Sequence, residues 1–181
     1  MQVRVQMKTE SLWEFARMES LAVEISPLLA DRVLGEVAVA ADLQPVEGLV
    51  RVRAGVPTEF VYELGAEFSG AGQPGFDAVR LLLPSLGRFL ALEMGEPLVR
   101  VVPDSVKEEQ GLAVYLPQRI SPAGAHRLRL RLETTVYGAA GELRAEVFER
   151  SGRALPQGVE AGDVSAEVGT DEGSLVSRPR I

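Results

Sequence analysis

The sequence holds no cysteine, no asparagine and a single histidine, His126, in 181 residues. Each absence removes a class of chemistry. Without thiols there is no disulfide framework, no thiolate metal site, no zinc finger and no cysteine nucleophile. A lone imidazole excludes any machinery that needs two. No further ligand stands near His126 at a recognisable spacing, so no metal site is predicted and the ring is assigned to the surface. Without asparagine there is no N-glycosylation acceptor. Lysine is scarce too: Lys8 and Lys107 are the only two, and nearly all positive charge is arginine. Loss of thermolabile residues together with arginine-rich ion pairing suits a thermophile, and a GC-rich genome produces the same composition.

Long apolar runs are also missing. The longest candidate, around Leu81 to Met94, is interrupted by Pro84, Arg88 and Glu93, short of the roughly 18 residues a membrane span requires. The opening MQVRVQMKTE alternates apolar and polar residues and lacks the apolar core of a signal peptide. The expectation is a chain without a membrane span, made in the cytoplasm. With 19 Lys+Arg against 26 Asp+Glu the formal charge is −7, which argues against direct nucleic-acid binding, because affinity for phosphates comes mostly from clustered cations.

What is present is alternation. Val3, Val5 and Met7 share one face of a predicted strand, and Leu21, Val23 and Ile25 share one face of another; a short helix from Ser11 to Met18 is predicted between them. Val37 to Leu43, Val50 to Arg53 and Phe60 to Phe68 each show one wet and one dry face, the pattern of antiparallel rather than buried parallel sheet. Further strands are predicted at Leu98 to Val102, Leu112 to Leu116, Arg127 to Tyr137 and Glu142 to Phe148, the last two as a hairpin across Gly138 to Gly141. Between Phe76 and Met94, apolar residues at spacings of three and four predict one helix, kinked at Pro84 and capped by Gly95. From Ser151 to Ile181 there are five glycines, two prolines, scattered acids and no aromatic residue. The predicted organisation is therefore a domain over 1–150 and a C-terminal extension or arm over 151–181.

The chemical inventory is sparse. Gly70, Gly72 and Gly75 form G-x-G-x-x-G, yet the preceding strand is amphipathic and no strand–helix alternation surrounds the motif. The glycines therefore read as a connection, and no cofactor is predicted. No serine has a nucleophile-elbow context, and no two of the 20 glutamates stand out as a catalytic pair. No catalytic residue is assigned. Arg127, Arg129 and Arg131 line the polar face of one strand. They form either a ladder of ion pairs with glutamates on adjacent strands or a contact surface. Together with Trp13 they are the candidate interface residues.

These elements make an all-β, antiparallel two-sheet sandwich, jelly-roll-like, with one inserted kinked helix. In its order of elements over residues 1–150 the chain resembles the single jelly-roll capsid proteins of tailless icosahedral viruses, including those infecting hot-spring bacteria. The resemblance implies a structural subunit that tiles a virion shell through sheet edges, loops and terminal arms, with self-association and neighbouring structural subunits as its partners. Two alternatives come from other classes. One is a ligand-binding or chaperone-like module, with the helix face of Leu82, Leu86 and Leu90 over a groove. The other is a carboxylate-using β-barrel enzyme, which requires two acids converging in one pocket.

Overall fold

A computed structural model describes Ser20, Ala22 and residues 25–70, 72–108, 111–138, 140–170 and 175–177. Among these residues every regular element is a strand. The expected N-terminal strand and helix, and Trp13, lie outside the described residues, as does most of the strand expected at Leu21 to Ile25. Strands β1 (Arg32–Val39), β2 (Pro57–Glu67), β4 (Arg88–Met94), β5 (Val99–Val101), β8 (Arg127–Thr135) and β12 (Glu160–Ala161) form one sheet in the order β12-β1-β2-β8-β4-β5. Strands β3 (Phe76–Leu82), β6 (Ser105–Lys107), β7 (Leu112–Ile120), β10 (Arg144–Phe148) and β11 (Gln157–Gly158) form the second, in the order β11-β10-β3-β7-β6. A small ribbon pairs β9 (Ala140–Glu142) with β13 (Leu175–Ser177). Pairing is antiparallel except between β1 and β12.

The two sheets are held face to face by the alternation that defines them. Strand β8 shows it most cleanly: Leu128, Leu130 and Leu132 are fully buried, and the arginines between them point away. Phe60, Tyr62 and Leu64 of β2 and Leu92 of β4 complete that sheet's inner face, opposite Val79, Leu81, Leu112, Val114, Leu116 and Val147 of the other. Burial pushes the Tyr62 phenol above its ordinary pKa, because an apolar core disfavours phenolate.

The predicted helix is absent. Phe76 to Met94 is two strands, β3 and β4, joined across a turn at Pro84 and Ser85, and they belong to different sheets. Part of the cause is a bulge: the register slips between Phe89 and Ala91 against β8, which places one extra residue, Leu90, in β4. At the slip between Phe76 and Ala78 the extra residues lie on β7 instead. The rest of the helical spacing comes from Leu82 and Leu86, which are exposed, and from Leu83 in the connection. The predicted hairpin of Arg127–Tyr137 with Glu142–Phe148 is likewise not formed, since β8 pairs with β2 and β4 whereas β10 pairs with β3 and β11. Both strands do turn their apolar sides to the core, but from opposite sheets. Period two reports which face is dry and not which neighbour lies alongside.

Gly75, third in the glycine motif, has φ +70, and a side chain there would sit 1.9 Å from the Ile120 carbonyl oxygen. Gly70 and Gly72 have open space around them, and the segment leads into β3. The motif makes a crossing between sheets.

Candidate functional site

The arginine stripe projects from the outer face of the larger sheet, where cross-strand register sets its partners. Reading across the sheet, Glu36, Glu63, Arg129, Glu93 and Arg100 fall in one row on β1, β2, β8, β4 and β5. Arg129 therefore stands between two carboxylates. Its Nε donates to Glu63 at 2.6 Å, and its guanidinium lies 3.8 Å from Glu93. Arg127, two residues earlier, donates from Nη2 to both Glu63 oxygens at 2.9 and 3.2 Å. Arg131 donates to Glu59 at 2.8 Å, with both side chains about two-fifths exposed.

This face is covered by the chain's own C-terminal arm. After β10 the chain pairs as β11 with the smaller sheet, crosses the sandwich edge at Val159, and pairs as β12 with β1 of the larger one. From Gly162 to Thr170 it runs over the outer face as a strap. The fit is close: an added Cβ on Gly65 would lie 3.0 Å from a Val164 methyl, and one on Gly162 would lie 3.1 Å from a Leu34 methyl. Backbone and amide bonds fasten the far end, with Gly169 N donating to Leu43 O at 2.9 Å and Gln44 Nε2 to Ala166 O at 2.8 Å.

Beneath the strap lie two glutamates with no solvent exposure, Glu36 and Glu63, directly opposite each other in register. Like charges at such positions repel and lose hydration, so each needs strong compensation. Glu63 receives Arg127, Arg129 and the Ser165 hydroxyl, which donates at 2.6 Å. Glu36 accepts from Thr170 N at 3.1 Å, Thr170 Oγ1 at 3.0 Å and Val164 N at 3.2 Å. The strap thus supplies donors to both acids and closes them from solvent. Glu36 is bonded by the arm, whereas Glu63 is bonded chiefly by Arg127 and Arg129 of β8 and by the arm through Ser165.

Glu167 on the strap pairs with Arg129. The hydrogen bond from Arg129 and then its charge hold the Glu167 carboxyl below the ordinary glutamate range. Burial would lower the Arg129 pKa, but its bonds to Glu167 and Glu63 outweigh that and keep it above the usual value.

Of the residues expected at an interface, Arg127 and Arg129 are mostly buried here and engaged within the chain, Arg131 is half-exposed, and Trp13 lies outside the described residues. Glu36, Glu63, Ser165 and Thr170 were not distinguishable in the sequence. Spaced valines in the tail, at 159, 164 and 168, were the one available sign that it has a dry side.

A second cluster occupies one pole of the sandwich. The loops at 53–56 and 83–87 and the residues that follow β8, 136–138, meet there: Gly55 N donates to Val136 O at 2.9 Å, Thr135 N donates to Ser85 Oγ at 3.1 Å, and Ser85 and Thr134 hydroxyls lie 3.0 Å apart. These loops carry Val56, Leu86 and Tyr137, which are 45%, 85% and 72% exposed. The ribbon of β9 with β13 brings residues 175–177 to the same end.

No grouping of His, Asp and Glu among the described residues has the makings of a metal site, and they include no helix long and apolar enough to cross a membrane. No family model and no curated protein matches the chain. Among solved structures it is similar to the 35 kDa C-terminal fragment of the major pilin of Streptococcus agalactiae, at 9% identity over 80% of this chain with a TM-score of 0.44. It is also similar to a conjugative transposon lipoprotein from Bacteroides eggerthii, at 16% identity over 74% of this chain and 100% of that one, with a TM-score of 0.30. The chain spans 56% of the pilin fragment, and neither likeness bears on function.

Proposed function

We propose that this chain is a structural subunit that self-associates through the loop-bearing pole of its sandwich. The observation that carries the reading is the gathering of Val56, Leu86 and Tyr137 on three loops tied together at one end. Single exposed apolar residues are ordinary, whereas a group of large ones on adjoining loops is the kind of surface a partner covers. Return of the arm to this pole as β13 adds backbone that a neighbouring copy can meet. A second copy is the chosen occupant because the large exposed side chains on these loops, Val56, Leu86 and Tyr137, carry no charge.

Absence of catalysis is part of this proposal, as is the narrower form in which the subunit tiles a virion shell made in a host cytoplasm. The jelly-roll part of that form has less support: β1–β2, β4–β5, β6–β7 and β10–β11 are hairpin neighbours within single sheets. The ligand-binding alternative loses its first candidate groove, because Leu82, Leu86 and Leu90 do not share a helix face.

Sedimentation across a concentration series, in native salt, tests the proposal. Wild-type chain is expected to form a reversible oligomer, and Leu86→Glu combined with Tyr137→Glu to remain monomeric with unchanged melting. A wild-type monomer at every concentration, or an oligomer indifferent to the double substitution, overturns it. Closed particles in electron micrographs would establish the shell form.

A further inference from the structure

The outer face of the smaller sheet carries a trough that neither the strap nor the pole uses. Its shape follows from register. Lys107 on β6, Ala113 on β7, Arg80 on β3 and Glu146 on β10 fall in one row. In the next row Tyr115 on β7 and Phe148 on β10 flank Ala78 on β3. In each row one alanine thus stands between two large residues. Over Ala78, which is fully buried, the two rings meet edge to face with centroids 5.8 Å apart. Over Ala113 the cover is missing, and a trough of about 330 Å³ opens there between Lys107 and Arg80, floored by Ala113 and Gly111 and walled by the rings. Gly111 is needed where it stands: its φ is +85, and a Cβ would sit 2.3 Å from the Leu81 carbonyl oxygen.

Charge and ring are juxtaposed throughout. Arg80 Cζ lies 5.7 Å from the centre of the Phe148 ring, and Lys107 Nζ lies 5.5 Å from that of Tyr115. Arg80 is answered by Glu146, whereas Lys107 pairs with no carboxylate among the described residues. In a chain of net charge −7 this is a local reversal of sign beside aromatic walls. Such a site suits a compact ring that carries one anionic group. One surplus cation is too few for a polyphosphate, whose affinity comes from many.

We propose that the trough binds the hexuronate unit of an acidic saccharide. Its carboxylate lies between Lys107 and Arg80, and its C–H face lies against Phe148 and Tyr115. This goes beyond self-association, since it uses the outer face of the smaller sheet and none of the pole residues.

Titration of the full chain with trigalacturonate, followed by amide NMR at low salt, tests this. Saturable shifts are expected at Gly111, Ala113 and Tyr115, and none with a neutral galactose trisaccharide. Lys107→Gln is expected to raise Kd about tenfold. Ala113→Leu, which fills the floor and leaves every charge in place, is expected to abolish binding. Should Ala113→Leu fail to fold, Phe148→Leu supplies the second variant, with a loss of binding expected as the wall recedes. The proposal is overturned by no saturable shift with wild-type chain, by equal binding of the neutral trisaccharide, or by equal binding of inorganic phosphate or triglutamate, which would reveal a bare anion site or a peptide site. Unchanged affinity in the folded variants overturns it as well.

Discussion

The two outer faces of this sandwich are built by one rule and end differently. On each, polar residues alternate outward from strands whose inner positions are apolar, and cross-strand register lines up opposite charges: Glu63 with Arg129 on the larger sheet, Glu146 with Arg80 on the smaller. The larger sheet's face is then roofed by the chain's own arm, which turns surface ion pairs into buried ones. The smaller sheet's face stays open, with Arg80 and Glu146 both partly exposed. Identical chemistry should therefore weigh very differently on the two faces, because removal from water decides whether a charge pair matters.

The sharpest way to break that comparison is Glu63→Ala. It removes the buried partner that Arg127 and Arg129 share, leaving them Glu167 at the strap's surface and, for Arg129, Glu93 at 3.8 Å; urea unfolding should show a loss of about 3 kcal/mol, the lower end of the cost of breaking a buried pair. A loss similar to that of an exposed pair would mean the roof does not exclude water. Next comes Glu36→Ala, which frees Val164 N and Thr170 N inside the seam. We expect about 1–3 kcal/mol, with faster amide exchange at those two positions while core strands such as β8 keep their protection. If β8 exchanges equally fast, strap and sandwich are one cooperative unit.

Acid provides a third test. Because the folded-state pKa of Glu167 is depressed below its unfolded value of 4.5, its contribution is fully present above that value and is lost as pH falls through the lower folded-state value. Strap amides should therefore loosen in that window in wild-type chain. In Glu167→Gln they should show no such step. The smallest effects are expected on the exposed pairs. Arg131→Ala and Arg80→Ala should each cost below about 1 kcal/mol, and a larger loss from Arg80→Ala would show that the trough is drier than its partners' exposure implies.

The sequence conveyed which residues face inward with good fidelity where alternation is unbroken. Phe60 to Glu67 and Arg127 to Thr135 are strands with the expected dry faces. It misled over Phe76 to Met94, where exposed Leu82 and Leu86 and the extra residue Leu90 of the β4 bulge supplied a helical spacing. It also misled where two dry faces meet across the core rather than side by side, as with β8 and β10. Opposite-charge partners for the arginine stripe were foreseeable, because acids alternate on neighbouring strands. Their burial was not. Nothing about Glu36 or Glu63 distinguishes them from exposed glutamates such as Glu67 until the arm is seen lying across them. The trough was equally invisible, since Lys107, Ala113 and Arg80 are neighbours only through strand pairing.

By itself the sequence determined the all-β, mainly antiparallel character of this protein and its restriction to chemistry without thiols, because side-chain alternation and residue inventory are local facts. Tertiary structure alone decided which strands pair, which glutamates lose their water, and where cations stand beside rings. Those outcomes depend on residues far apart in the chain meeting at register positions and under a returning arm, and no local pattern encodes that meeting.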